Sequence, residues 1–348
     1  MCLWDVLSSK MKKLEKEKNW NGLPFEMKEK VVKEMDFETR TRLKKCSKSD
    51  KKLVESTPIL YDELYISVLN NGSEYLDAIL AIHSKLRVFL EIKITVKKSE
   101  VDGDRSSHSM EIFSRSNRVE KHTKRIRCSS EEDGKKFVEN VIRSVLFDGN
   151  LRFNKASIWI NVPGFLENTD FTIHTKHFTI NDVDRQSIEW MNKLAPKVES
   201  VTLPAKVWNR DDVVNGVGAF PVVMNAQKIE IGHQCDINDE QLLNLQCTFL
   251  EIDRSNITKK GINELIKKAI ANDYPINTLF VISLKDDCVL NDIWKEISEE
   301  LHVERIALNC DEVGCGRQRE ETHGIIRMGQ NKKMIVHVYP GTFKAEID

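Results

Sequence analysis

Leu250-Glu251-Ile252-Asp253-Arg254-Ser255-Asn256-Ile257-Thr258-Lys259-Lys260-Gly261-Ile262-Asn263-Glu264-Leu265-Ile266-Lys267 passes from a strand pattern to a helix pattern within a few residues. Its strand part, with Cys247 just upstream, spaces apolar residues as Cys247/Leu250/Ile252. The same spacing occurs at Val198/Val201/Leu203, Ala226/Ile229/Ile231, Ile276/Leu279/Val281 and Val303/Ile306/Leu308. Successive starts lie about 28, 21, 29 and 27 residues apart, a repeat-like interval. Between the strands the pattern predicts helices over Asn238–Asn244, Thr258–Ala271 and Asn291–Leu301, the first opened by the capping-box spacing of Asn238 and Gln241. One strand and one helix cannot bury their apolar faces alone, so each unit needs a stacked neighbour. A parallel sheet backed by helices follows.

That period matches leucine-rich repeats, although the asparagine that completes such a repeat is missing or shifted in Ile252-Asp253-Arg254-Ser255-Asn256-Ile257. The expected fold class is α/β. Residues 59–348 form a degenerate leucine-rich-repeat-like α/β solenoid with a mostly parallel sheet. An ordinary α/β sheet would give similar spacing and stays open as an alternative. The tail from Gly324 to Val338 reads as a hairpin around residues 329–332 that covers the last open sheet edge. Upstream, Leu64–Val68, Leu86–Val96 and Ile158–Ile160 read as strands, while Ser73–Ser84 and Glu131–Leu146 read as helices. Residues 101–109 read as a turn or mobile loop.

The N-terminal part differs. Leu23, Met27, Val31 and Met35 recur every fourth residue and share one helical stripe, with Pro24 suited to the first turn. Asp36 is a candidate cap for a second helix over Glu38–Ser47, and a third ends on Leu53-Val54 before Pro58 breaks the pattern. About 35 residues of helix cannot bury all their apolar surface alone. Such a cluster docks, either on the rest of the chain or on a partner. A lysine-rich run, Lys10 to Lys18, precedes it and reads as a solvated face; residues 1–18 count as an N-terminal extension.

Residues 19–58 resemble the F-box. Leu23-Pro24 with Glu26 matches its opening, Val31 and Met35 its first helix, and Arg40, Leu43, Cys46, Ser47 and Leu53-Val54 its second and third. A tryptophan common after the Cys-Ser pair is replaced by Lys48-Ser49-Asp50-Lys51-Lys52. This variant is similar to the expanded nematode F-box families, and Leu250–Lys267 resembles their FTH-type associated region. The resemblance implies a three-helix module that binds the Skp adaptor of a cullin–RING ubiquitin ligase through Leu23, Pro24, Met27, Val31, Met35, Leu43, Cys46 and Leu53. It implies partnership with the cullin ligase scaffold, a C-terminal region that captures a target protein, and no catalytic role of its own. The alternative is a repeat-type interaction scaffold with no ubiquitin-ligase role, its N-terminal helices serving only as a solenoid cap.

Composition bounds these readings. Hydrophobic content of 40% and charged content of 31% describe a soluble globular protein, and a net charge of −1 argues against dedicated nucleic-acid binding. No apolar run spans a membrane, and Met1-Cys2-Leu3-Trp4-Asp5 opens neither a signal peptide nor a myristoylation site. Eight scattered cysteines read as reduced thiols, placing the chain in the cytoplasm, the nucleus or both. Candidate chemistry is sparse. His174 and His177 would face opposite sides of a strand, and Cys310, Cys315 and His323 fall short of a zinc ligand set. Gly216-Val217-Gly218-Ala219 lacks the third glycine of a dinucleotide loop. No metal or cofactor is therefore expected. Arg115, Arg118, Lys121, Lys124, Arg125 and Arg127 form the strongest basic run, without interleaved aromatics; a solvated strand or loop is favoured, with a nuclear-import signal the next option.

Overall fold

A computed structural model describes residues 20–35, 37–70, 75–84, 87–99, 107–116, 119–146, 151–162, 164–166, 171–181, 188–204, 215–284, 303–307, 322–328, 332–339 and 341–348. A short 3-10 turn at Trp20–Gly22 leads into α1 (Phe25–Glu34), α2 (Phe37–Leu43) and α3 (Lys48–Ser56). Pro24 is the cap of α1, its carbonyl accepting from the Met27 and Lys28 amides. The second helix stops at Leu43 rather than running to Ser47, because Ser47 turns extended and accepts the Asp50 amide as the N-cap of α3. Asp36 lies outside the described residues.

Beyond Pro58 the chain is a sheet. Its strands are β1 (Ile59–Asn70), β2 (Tyr75–Ser84), β3 (Arg87–Ser99), β4 (Ser107–Ser116), β5 (Val119–Cys128), β6 (Leu151–Ile160), β7 (His174–Ile180) and β8 (Ser200–Leu203). They continue as β9 (Lys228–Ile231), β10 (Phe249–Ser255), β11 (Leu279–Leu284), β12 (Val303–Ala307), β13 (Thr322–Arg327), β14 (Lys333–Tyr339) and β15 (Thr342–Ile347). The order across the sheet is β12-β13-β14-β15-β11-β10-β9-β8-β7-β6-β1-β2-β3-β4-β5. From β6 to β11 every strand lies beside its predecessor and parallel to it, and β1 joins β6 in the same sense. Both ends are antiparallel: β1 to β5 form a meander, and β12 to β15 a second one closed on β11. The sheet is therefore mixed, with more antiparallel than parallel pairings, and not mostly parallel.

Helix α4 (Glu131–Leu146) crosses back over the first meander and returns the chain to β6 beside β1. Its buried side is Gly134, Val138, Ile142, Val145 and Leu146. The helices α5 (Pro221–Met224), α6 (Asp239–Asn244) and α7 (Lys259–Ala271) follow β8, β9 and β10. The capping box at Asn238 and Gln241 is formed in both directions. Successive units are stitched at their helix starts: the Asp239 carboxylate accepts from the Thr258 amide at 2.7 Å and hydroxyl at 2.6 Å, and Asp236 accepts the Gly216 amide at 2.7 Å. One continuous apolar core runs the length of the sheet, from Met110 and Leu80 to Phe280, Phe343 and Met334.

Four sequence expectations change here. Ser73–Ser84 is not a helix; its described part is strand β2, in which Leu76, Ala78, Leu80 and Ile82 are buried at every second position. Asn71-Gly72, a favoured hairpin dipeptide, stands between β1 and β2 in the sequence. The fourth repeat is read one residue out of register: Phe280 and Ile282 stand beside Leu250 and Ile252, whereas Ile276 is exposed. A one-residue slip exchanges the two faces of a strand. The fifth, starting at Val303, is not a repeat strand, because β12 pairs antiparallel with β13. The tail hairpin forms, with Met328 and Lys332 bonded across its turn, but β15 rather than the hairpin covers the edge of β11. Residues 101–106, Asn291–Leu301, Cys310 and Cys315 fall outside the described residues.

Candidate functional site

The small helical module has its own core. Val32, Leu53 and Val54 are fully buried, and Trp20, Met35 and Leu43 pack around them. Polar contacts lock the three helices. The Trp20 indole N–H donates to Asp50 Oδ1 at 2.7 Å, and the Ser47 hydroxyl donates to Asp50 Oδ2 at 2.7 Å. These two donors, Ser47 first, hold the Asp50 carboxyl below the usual carboxylate range. Arg40 is buried and donates to the Thr57 carbonyl at 2.8 Å, tying α2 to the exit of α3. A tryptophan thus does reach the Lys48–Lys52 segment, but from the N-terminal turn rather than from within it.

What this core leaves out is the candidate site. Five large hydrophobic side chains are exposed among the described residues: Phe25 (56%), Met27 (50%), Leu60 (59%), Trp159 and Ile276. Three of the five sit between residues 25 and 60, in a small fraction of the chain. Leaving such side chains half in water forgoes roughly 1 kcal/mol apiece, so their concentration marks a surface built to be covered. Leu23 and Val31 are half-buried on the Met27 side of α1 and form an apolar strip with it, with Pro24 exposed beside it; Phe25 lies about 160° around the helix from Met27, off the strip.

The eight positions singled out in the sequence therefore separate. Leu23, Pro24, Met27 and Val31 stand on or beside the strip. Met35 and Leu43 roll onto the module core and Leu53 is part of it, so these three support the surface from beneath. Cys46 is exposed at the turn between α2 and α3, its Sγ 3.5 Å from the Arg42 carbonyl. Phe25 and Leu60 escaped sequence reading. Phe25 lies off the four-residue stripe, and Leu60 precedes the Leu64–Val68 strand pattern, with Tyr61 taking the inward position beside it.

The other candidates resolve as structure. His174 is half-buried on β7, where burial and then Arg152 keep its imidazole less basic than usual. His177 is exposed, its Nδ1 2.8 Å from the Ser200 hydroxyl. Gly216 adopts φ +78° at a turn, and Gly218 lies against Gln241 of α6. No group of three metal-ligating side chains occurs among the described residues. No helix among them is long and apolar enough to cross a membrane.

Residues 20–62 match the F-box domain. The match covers the whole helical module and the first residues of β1. The chain is also 26% identical over 268 residues to an uncharacterized F-box protein of Caenorhabditis elegans, covering 75% of this chain and 68% of that one. That similarity is too long to be confined to the F-box and extends into the sheet. No solved structure matches the chain.

Proposed function

We propose that this protein is a substrate-receptor subunit of an SCF-type cullin–RING ubiquitin ligase. Its F-box docks on the Skp adaptor, and residues 59–348 bind a target protein. The observation that carries the reading is the uncovered apolar surface at the start of α1, with Pro24, Phe25 and Met27 exposed and Leu23 and Val31 half-buried, on a module that matches the F-box. A receptor of this kind needs no catalytic groups: it holds a target lysine near an activated ubiquitin, and its contribution is proximity. We further propose that the parallel run β6 to β11 is a degenerate repeat stack of the FTH-associated type. Its in-order strands and helix-start stitching support this reading.

Co-purification with the adaptor checks it. Phe25→Asp with Met27→Asp alters two exposed side chains, so folding stability should stay within about 0.5 kcal/mol. Adaptor capture should nevertheless fall below detection. Unchanged capture by this variant, or none by the intact protein, would remove the ligase assignment and leave an interaction scaffold.

A further inference from the structure

Strand β5 ends the sheet. Among the described residues it pairs with β4 alone, so its outer backbone edge carries unpaired N–H and C=O groups. Thr123, Arg125 and Arg127 share one face and are exposed; on the other, Ile126 and Cys128 are half-buried and pack against the core, and Lys124 is exposed. Arg125, with 81% of its side chain exposed, pairs with Glu111 of β4. Among the described residues Lys124 and Arg127 take part in no ion pair. Neither does Lys97 of β3, which is exposed and aligned with Arg127 through Ser109. Among the described side chains the nearby acids have other partners: Glu91 holds Lys93, the Asp133 carboxylate accepts from Ser129, Glu131 accepts from Asn70, and Glu132 pairs with Lys136. An open edge flanked by uncompensated cations is thus concentrated at one end of a chain whose net charge is −1.

We propose that the outer edge of β5 takes an acidic, extended segment of a partner protein as an added strand. Backbone pairing would supply affinity, and alternate side chains selectivity. Carboxylates at every second position would meet Arg125 and Arg127, with apolar residues between them beside Ile126, while Lys97, two strands in on the same face, adds only to the local positive potential. A second copy of this edge would bring like charges together and is disfavoured. Nucleic acid is a poorer fit, because Phe113 of β4 already lies against Lys93 (6.0 Å) and no aromatic interleaves β5. As the target-capturing surface of a ligase receptor, the edge rests on the function proposed above; strand addition itself does not.

Fluorescence anisotropy on the full chain at low salt tests it, using a labelled eight-residue peptide of alternating Glu and Val. Saturable binding is expected, about tenfold or more tighter than that of a Lys-Val peptide. A similar loss is expected for a Glu-Val peptide N-methylated at every residue, which has no backbone N–H left to donate, and for Arg125→Glu with Arg127→Glu. The idea is overturned by absent binding, by equal binding of the Lys-Val or N-methylated peptide, or by tighter capture of a single-stranded oligonucleotide or of anionic phospholipid vesicles. Adaptor co-purification reads the other proposal separately: retained peptide binding without adaptor capture removes only the ligase role.

Discussion

Asp50 does two jobs in the helical module: it receives the N-cap serine of its own helix and the indole of Trp20, thirty residues upstream. Both hydrogen bonds favour the carboxylate, so its folded-state pKa lies below the unfolded value of about 3.9. A depressed pKa adds stability above the unfolded value, and that contribution disappears as pH falls through the folded value. Trp20→Phe keeps the ring and removes the donor, which should cost about 1 kcal/mol at pH 7. Urea unfolding between pH 7 and 2.5 should show this gap shrinking only below about pH 4; a gap independent of pH would mean the indole acts through packing. The cysteines also divide by residue environment. Burial pushes Cys235 up to about 11 and Cys247 up to about 12, whereas Cys46 is exposed. Brief alkylation at pH 8 followed by mass spectrometry should label Cys46 and spare Cys235 and Cys247 until the protein unfolds.

At the scale of elements, legibility followed how local the deciding interaction is. Helix α4 and the capping box of α6 are written in adjacent residues, and the sequence placed both. Strand β2 was misread because Leu76, Ile79 and Leu80 satisfy a helical period as well as Leu76, Ala78, Leu80 and Ile82 satisfy a strand's. Pairing with β1 and β3 decides between them, and that contact is not local. The exposed strip of α1 was half legible for a related reason: a four-residue stripe cannot show which of its members a second helix covers, so Met35 looked equivalent to Met27. Gly134 shows an element contact with a sharp consequence. A Cβ there would lie 2.8 Å from both methyls of Val96 on β3, so α4 approaches the sheet too closely for any side chain. Gly134→Ala gains helix propensity of up to about 1 kcal/mol and loses about 1–3 to overpacking. A net destabilisation of roughly 1 kcal/mol is expected in denaturant melts. Val96→Ala should remove most of the Gly134→Ala penalty in the double variant; additive losses would place the strain elsewhere.

The whole molecule joins an ordered parallel run to antiparallel ends, and the sequence disclosed the later part of the run and the tail hairpin but not the first meander. Strand spacing reports that units recur, but direction is set by connection length, so Val303/Ile306/Leu308 carried a repeat-like pattern into an antiparallel strand. The same scale decides whether the N-terminal helices are a module or a cap. Their core of Val32, Leu53 and Val54 shares no residue with the long core that starts at Tyr61, and Leu60, between the two, is exposed. A solenoid cap would instead contribute side chains to the first layer of the body. Deleting residues 1–57 should therefore leave a folded protein whose thermal midpoint lies within about 5 °C of the full chain. It should also lose adaptor capture altogether while keeping any peptide binding at β5. Circular dichroism and size-exclusion chromatography of the shortened chain settle the matter: aggregation or loss of the cooperative transition would make the helices part of the body, and the exposed strip of α1 would then need another explanation.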